Sequence, residues 1–229
     1  MTPISPARLP FDIVGFDLDG TLLDTSADLT AAVNHALALV GRPPLTDDQV
    51  RPSLGLGAKT ILIQALDDSG GIPPDDFRPL YKQMLRFYEA NVSVHSRPYD
   101  GAIAALDRLA AMGLKTAIVT NKFESLAVKA LTDLDLIDRF VTVIGGDTLG
   151  TANAKPSAAP IHAMITRCGG GRAVFVGDSV YDMMAARNAG IPCVAAAYGF
   201  LIGPVDEMGA DAVIDHLDDL VPTLERLPG

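Results

Sequence analysis

Four short apolar runs recur along the second half of the chain: Ala117-Ile118-Val119, Val141-Thr142-Val143-Ile144, Ala173-Val174-Phe175-Val176 and Cys193-Val194-Ala195-Ala196. Stretches of helical periodicity separate them. One carries Ile103, Leu106 and Leu109 and closes at Gly113, and others run from Ser125 to Leu131, from Ala159 to Cys168 and from Met183 to Ala189. Continuous apolar runs alternating with helices predict parallel strands buried on both faces of a sheet. A fifth run, Asp12-Ile13-Val14-Gly15-Phe16, lies far upstream and ends abruptly in Asp17-Leu18-Asp19-Gly20-Thr21. It reads as a buried strand closed by a turn, and belongs to the same sheet. Asp211-Ala212-Val213-Ile214 adds a short edge strand before a final helix at Asp218 to Leu227.

Between the first strand and the rest lies a block with no strand pattern. Thr25 and Asp28 form a capping-box pattern, and Leu29, Val33, Leu37 and Val40 make the apolar stripe of a helix that Gly41 and Pro43-Pro44 end. Thr46 and Gln49 mark a second short helix, and Ile61, Leu62, Ala65 and Leu66 a third. Asp75 opens a fourth, which carries Phe77, Leu80, Tyr81, Met84, Leu85 and Tyr88. The expected fold is α/β: a Rossmann-like three-layer core with a parallel sheet, from residues 1–23 and 97–229, plus an all-helical domain of residues 24–96 inserted after the first core strand.

Composition narrows the function. With 48% hydrophobic and 20% charged residues, the 229-residue chain can build a large core and is not disordered. Its net charge of -10 argues against nucleic acid and anionic membrane as partners. Cys168 and Cys193 lack metal-ligand spacing and read as buried free thiols. Met1 to Pro10 contains three prolines and no apolar core, so it does not read as a signal peptide. No run is long enough to span a bilayer, and a cytoplasmic protein is expected.

In open parallel sheets, ligands bind outside the carboxyl ends of the strands. Those ends carry Asp17 and Asp19, then Thr120 and Asn121, then Lys155 on the loop after the third strand, and Asp178, Ser179 and Asp182. One crevice is therefore expected to hold four carboxylates, a lysine and a hydroxyl-amide pair. Such carboxylates cannot all ionise without a cation, and a hard, oxygen-ligated ion such as magnesium (Mg2+) fits best. Lys155, Thr120 and Asn121 supply donors suited to a phosphoryl group.

Taken in order, Asp17-Leu18-Asp19-Gly20-Thr21, Thr120-Asn121, Lys155-Pro156 and Gly177-Asp178-Ser179 followed by Asp182 resemble the four motifs of the haloacid dehalogenase superfamily. The resemblance covers essentially the whole chain, with the helical block where that superfamily places its cap. It implies that Asp17 attacks phosphorus to form an aspartyl-phosphate, and that Asp19 protonates the leaving alcohol and then activates water. It also implies a metal held by the Asp17 carboxylate, the Asp19 backbone carbonyl and Asp178, with Asp182 supporting the shell and orienting Lys155. Lys155 offsets negative charge, while Thr120 and Asn121 hold phosphoryl oxygens. Dehalogenases lack a carboxylate at the position of Asp19, so a phosphatase is expected.

Within the superfamily, Thr120-Asn121-Lys122, Gly145-Gly146-Asp147, Pro98-Tyr99 and Tyr198-Gly199 resemble the bacterial phosphoglycolate phosphatases. Ser157-Ala158 after Lys155-Pro156 departs from that pattern, where a second proline is expected. The resemblance implies a small phosphorylated substrate, most simply 2-phosphoglycolate, and a monomer or homodimer. Other small phosphate esters, nucleotides, pyrophosphate and phosphomutase chemistry remain open. In the helical block, Arg51-Pro52-Ser53-Leu54-Gly55-Leu56-Gly57-Ala58-Lys59-Thr60 feeds a helix N-terminus, where two glycines permit close approach to an anion. Arg51 or Lys59 is the expected contact for a substrate carboxylate.

Overall fold

A computed structural model describes residues 9–228. The reading of the N-terminal stretch as no signal peptide falls mostly outside them. In chain order the elements are β1 (Ile13–Phe16), β2 (Leu23–Asp24), α1 (Ser26–Leu39), α2 (Asp47–Val50), α3 (Ala58–Asp68), α4 (Pro74–Ala90) and β3 (Arg97–Pro98). They continue as α5 (Ala102–Ala111), β4 (Lys115–Val119), α6 (Glu124–Asp133), β5 (Val143–Ile144), α7 (Ala159–Arg167) and β6 (Ala173–Gly177). The last are α8 (Val180–Asn188), β7 (Cys193–Ala196), β8 (Ala212–Ile214) and α9 (Leu220–Leu224).

Six strands form one parallel sheet in the order β5-β4-β1-β6-β7-β8. Side chains alternate across it with the period of two that a strand imposes. Val14 and Phe16 face the cluster built with Leu106 and Leu109 of α5, Leu126 and Ala130 of α6, and Leu220 and Leu224 of α9. Ile13 faces the opposite cluster, with Ile161 and Met164 of α7 and Met183 and Ala186 of α8. At Gly15 a side chain would collide with Met164, since a Cβ would lie 2.3 Å from its sulfur. The result is helix, sheet, helix: an α/β core of three layers. Chain order runs outward from β1 in both directions, which opens a crevice at its carboxyl end.

After β1 the chain passes through an antiparallel ribbon of β2 and β3, pairing Leu23 with Pro98 and Asp24 with Arg97. Helices α1 to α4 fill the interval between these strands, with α1 packed on α4. Two-residue strands leave no periodicity, so the ribbon was not legible in the sequence.

Local chemistry corrects two expectations. Thr25 and Asp28 do not form a capping box: Thr25 makes no side-chain cap, and its buried hydroxyl has no hydrogen-bond partner. Ser26 N–H instead donates to Asp24 at 3.1 Å. Asp28 is buried and accepts from His95 N–H, Ser96 N–H and the Ser96 hydroxyl, so it ties α1 to the returning strand-linker. Helix α8 begins at Val180, three residues before the expected Met183, because Ser179 and Asp182 form a reciprocal capping box. Thr46 and Gln49 form the box expected of them. Cys168 and Cys193 are buried and free. Among the described residues, no helix is long and apolar enough to cross a membrane.

Candidate active site

Asp17 stands immediately past β1, its N–H bonded to the Val176 carbonyl at 2.9 Å on the neighbouring strand. That ladder bond aims its carboxylate across the end of the sheet. Lys155 Nζ lies 2.8 Å from Asp17 Oδ1 and 2.5 Å from Asp182 Oδ1, and donates to the Val119 carbonyl at 2.9 Å. The other Asp182 oxygen accepts from the Ser179 N–H and hydroxyl, at 2.9 and 2.6 Å. Asp178 accepts from the Thr21 hydroxyl at 2.8 Å and from the Phe200 N–H at 2.6 Å. Phe200 thus serves the site through its backbone while its ring is buried in the core.

Glycine makes this packing possible at two positions. Gly20 has φ +86°, and a Cβ there would sit 2.1 Å from Asp178 Oδ2. At Gly177 a Cβ would lie 2.4 Å from Asp182 Cγ. Both backbones approach the carboxylates too closely for any side chain.

The electrostatics are dominated by burial. Desolvation pushes the Asp17 carboxyl up to about 6, with Lys155 pulling it down and Asp182 adding to the rise. Burial also raises Asp178, reinforced by Asp17 and Asp182 and opposed by Thr21 and the Phe200 amide. Burial works against the charge on Lys155, but Asp17 and Asp182 outweigh it and hold its pKa above the ordinary lysine value. One oxygen each from Asp17, Asp178 and Asp182 falls within 4.8 Å of the others. Three buried carboxylates thus face one ammonium, and Asp17 Oδ1 meets it at ion-pair distance without hydrogen-bond geometry. A hard divalent cation fits this donor set, because it would supply the charge and the ligand that these oxygens lack.

Asp19 is set apart from that cluster. Lys122 Nζ lies 2.9 and 3.1 Å from its two oxygens and also donates to the Tyr88 hydroxyl of α4. Burial opposes the charge on Lys122, yet Asp19 and Tyr88 more than compensate and raise its pKa. Burial pushes the Tyr88 phenol up to about 12, against the pull of Lys122. The Tyr88 hydroxyl therefore keeps its proton at neutral pH.

Thr120 accepts from the Lys122 N–H at 3.2 Å. Asn121 accepts from the Lys155 N–H at 2.9 Å and donates to the Lys155 carbonyl at 3.1 Å, so its side chain fastens the loop that bears the lysine. Asp17, Asp19, Tyr88, Thr120, Asn121, Lys122, Lys155 and Asp178 open on a cavity of about 180 Å³ between the sheet end and the helical insertion. Leu54 to Ala58 and the α4 residues Tyr81, Leu85 and Tyr88 form its insertion side.

The structure brings Asp17, Asp19, Thr120, Asn121, Lys155 and Asp178 to this cavity, with Asp182 directly behind Lys155. It does not bring Arg51 or Lys59 there: both are exposed, and the loop lines the cavity through Gly55 and Gly57 instead. Sequence reasoning missed the roles of Thr21, Lys122 and Tyr88. Thr21 and Lys122 sit inside the Asp17–Thr21 and Thr120–Lys122 motifs, but nothing local shows which distant carboxylate each one meets. Tyr88 lies on an apolar helical stripe, which hides its hydroxyl.

Residues 14–196 match the family described as haloacid dehalogenase-like hydrolase. A phosphoglycolate phosphatase from Agrobacterium fabrum is 39% identical over 225 residues, covering 97% of this chain and 93% of that protein. Phosphoglycolate phosphatase 1 from Pseudomonas aeruginosa is 37% identical over 229 residues, covering 98% and 83%. Among solved structures, a predicted phosphoglycolate phosphatase from Haemophilus somnus superposes with a TM-score of 0.85 at 30% identity, covering 93% of this chain and 98% of that one. Sequence, fold and site geometry agree, and the chain belongs to the haloacid dehalogenase-like hydrolase family.

Proposed function

We propose that the protein is a magnesium-dependent phosphatase that hydrolyses 2-phosphoglycolate to glycolate and inorganic phosphate. The observation that carries the chemistry is the separation of two aspartates two residues apart. Asp17 is buried against Lys155, and Asp19 stands on the cavity wall against Lys122. A nucleophile and a proton carrier need those two environments.

Asp17 attacks phosphorus, forming an acyl-phosphate bond as the ester P–O bond breaks. Asp19 delivers its proton to the departing oxygen, so glycolate leaves as an alcohol. Asp19, now ionised, takes a proton from the water that attacks phosphorus, and cleavage of the acyl-phosphate bond restores Asp17. Lys155 holds Asp17 and compensates charge on the transferring group. Thr120 donates to phosphoryl oxygens, and Asn121 keeps the Lys155 loop in place. The Asp17 carboxylate, the Asp19 backbone carbonyl and Asp178 would hold the magnesium ion, with Asp182 behind them. When bound, the ion supplies positive charge to the phosphoryl oxygens and keeps Asp17 ionised.

Residues 24–96 act as a cap that closes the crevice and excludes water. Support for the substrate comes from the relatives named phosphoglycolate phosphatase and from a cavity suited to a small ester rather than a polymer. The test is phosphate release from a panel of phosphate esters and pyrophosphate, with and without magnesium. Phosphoglycolate should rank first, magnesium should be required, and Asp17→Asn should abolish turnover. Substantial turnover by that variant would rule out the covalent route, and phosphoryl return to a sugar phosphate would indicate a mutase.

A further inference from the structure

A carboxylate entering a partly apolar cavity needs a cation or strong donors at its end point. Arg51 and Lys59 stand outside the lining. Among the described residues that line the cavity, the cationic side chains are Lys122 and Lys155. Lys155 has three partners within 2.9 Å, namely Asp17, Asp182 and the Val119 carbonyl. Two core carboxylates, Asp17 and Asp182, already outnumber its single charge, so Lys155 has no charge to spare for a second substrate anion.

Lys122 differs. It meets one carboxylate, Asp19, and one hydroxyl, Tyr88. It is neutralised by one carboxylate rather than two, and its side chain is only 4% exposed, in the cavity wall. Its position also suits the substrate's connectivity. Asp19 must reach the ester oxygen to protonate it, and in phosphoglycolate the carboxylate is attached one carbon beyond that oxygen. A cation beside Asp19 is therefore placed to meet it.

Resting on the phosphatase reading above, we infer that Lys122 is the receptor for the substrate's carboxylate, seated between the core and Tyr88 of the insertion. The receptor is built from both parts of the molecule. Asp19 and Lys122 come from the core and Tyr88 from α4, so the anion seat is complete only with α4 over the crevice. The site then selects esters whose carboxylate lies one carbon from the phosphoester oxygen.

A purely positioning role, in which Lys122 only holds Asp19, predicts a different outcome. The experiment compares phosphoglycolate with ethyl phosphate, which has a methyl group in place of the carboxylate. Lys122→Met should lower kcat/KM for phosphoglycolate by roughly 100-fold more than for ethyl phosphate. The extra loss should appear in KM, and Lys122→Arg should recover part of it. Tyr88→Phe, which removes one oxygen from the cap side, should raise KM for phosphoglycolate selectively and serves if Lys122→Met fails to fold. Equal losses on both esters would overturn the inference and leave the phosphatase reading standing. A wild-type enzyme with no preference for phosphoglycolate over ethyl phosphate would overturn the substrate assignment itself, and the receptor with it.

Discussion

Replacing Asp17 by asparagine should stabilise the metal-free protein while it abolishes turnover. The wild-type carboxyl is buried and pushed up to about 6 from 3.8, so the fold favours its neutral form. At about 1.4 kcal/mol per pKa unit, holding Asp17 ionised costs the metal-free fold roughly 3 kcal/mol above pH 6. The sign follows from linkage. The favourable contribution of the neutral acid is complete below 3.8 and is lost as the pH rises through about 6. Asparagine has the shape of the neutral acid and does not titrate. In urea unfolding with a chelator present, the variant should exceed wild type by about 3 kcal/mol at pH 8, and the gap should shrink as pH falls from 6 towards 4. By heat, the difference at pH 8 should be about 6–12 °C for a chain of this size. Magnesium should then raise the wild type's Tm more than the variant's, because it neutralises the same charge. A variant no more stable than wild type at pH 8, or a gap that widens on acidification, would refute the electrostatic account.

Other perturbations separate structural from chemical roles. Gly20→Ala forces a Cβ at φ +86° to within 2.1 Å of Asp178 Oδ2; it should cost about 1–3 kcal/mol and weaken magnesium activation by ten-fold or more, measured by metal titration of activity. Asp28→Ala leaves the buried Ser96 N–H and the His95 N–H without their acceptor, while the Ser96 hydroxyl keeps the Val92 carbonyl, and should cost about 1–3 kcal/mol in denaturant unfolding. Arg51→Ala and Lys59→Ala, exposed and away from the cavity, should change KM for phosphoglycolate by less than about twofold.

Much of the core was legible because its determinants are local. Apolar runs such as Ala173 to Val176 specify a buried strand, and the polar residues that end each run must emerge at the same edge of a parallel sheet. Asp17, Thr120 and Asp178 therefore belong to one crevice on sequence grounds alone. The boundaries read less well. Ser179 and Asp182 could be recognised as site residues, yet they also start α8, and that second role moved the helix three residues. Asp28 shows the opposite failure, since a pattern that suits a local cap was taken up by a linker sixty-seven residues away.

The local order of residues determined the sheet, the helical insertion after β1 and the supply of carboxylates and lysine at the strand ends. Those features follow from side-chain period and from chain reversal, which neighbours in sequence control. Only the tertiary structure decided how the acidic groups divide their environments. Lys155 reaches Asp17 and Asp182, whereas Lys122 reaches Asp19 across 103 residues and Tyr88 across 34. Charge pairing and desolvation depend on distance in space and on what excludes water, and neither is carried by spacing along the chain. For the same reason, Arg51 and Lys59 looked eligible as anion receptors in the sequence, while the fold turned both to solvent and left Lys122 in the wall.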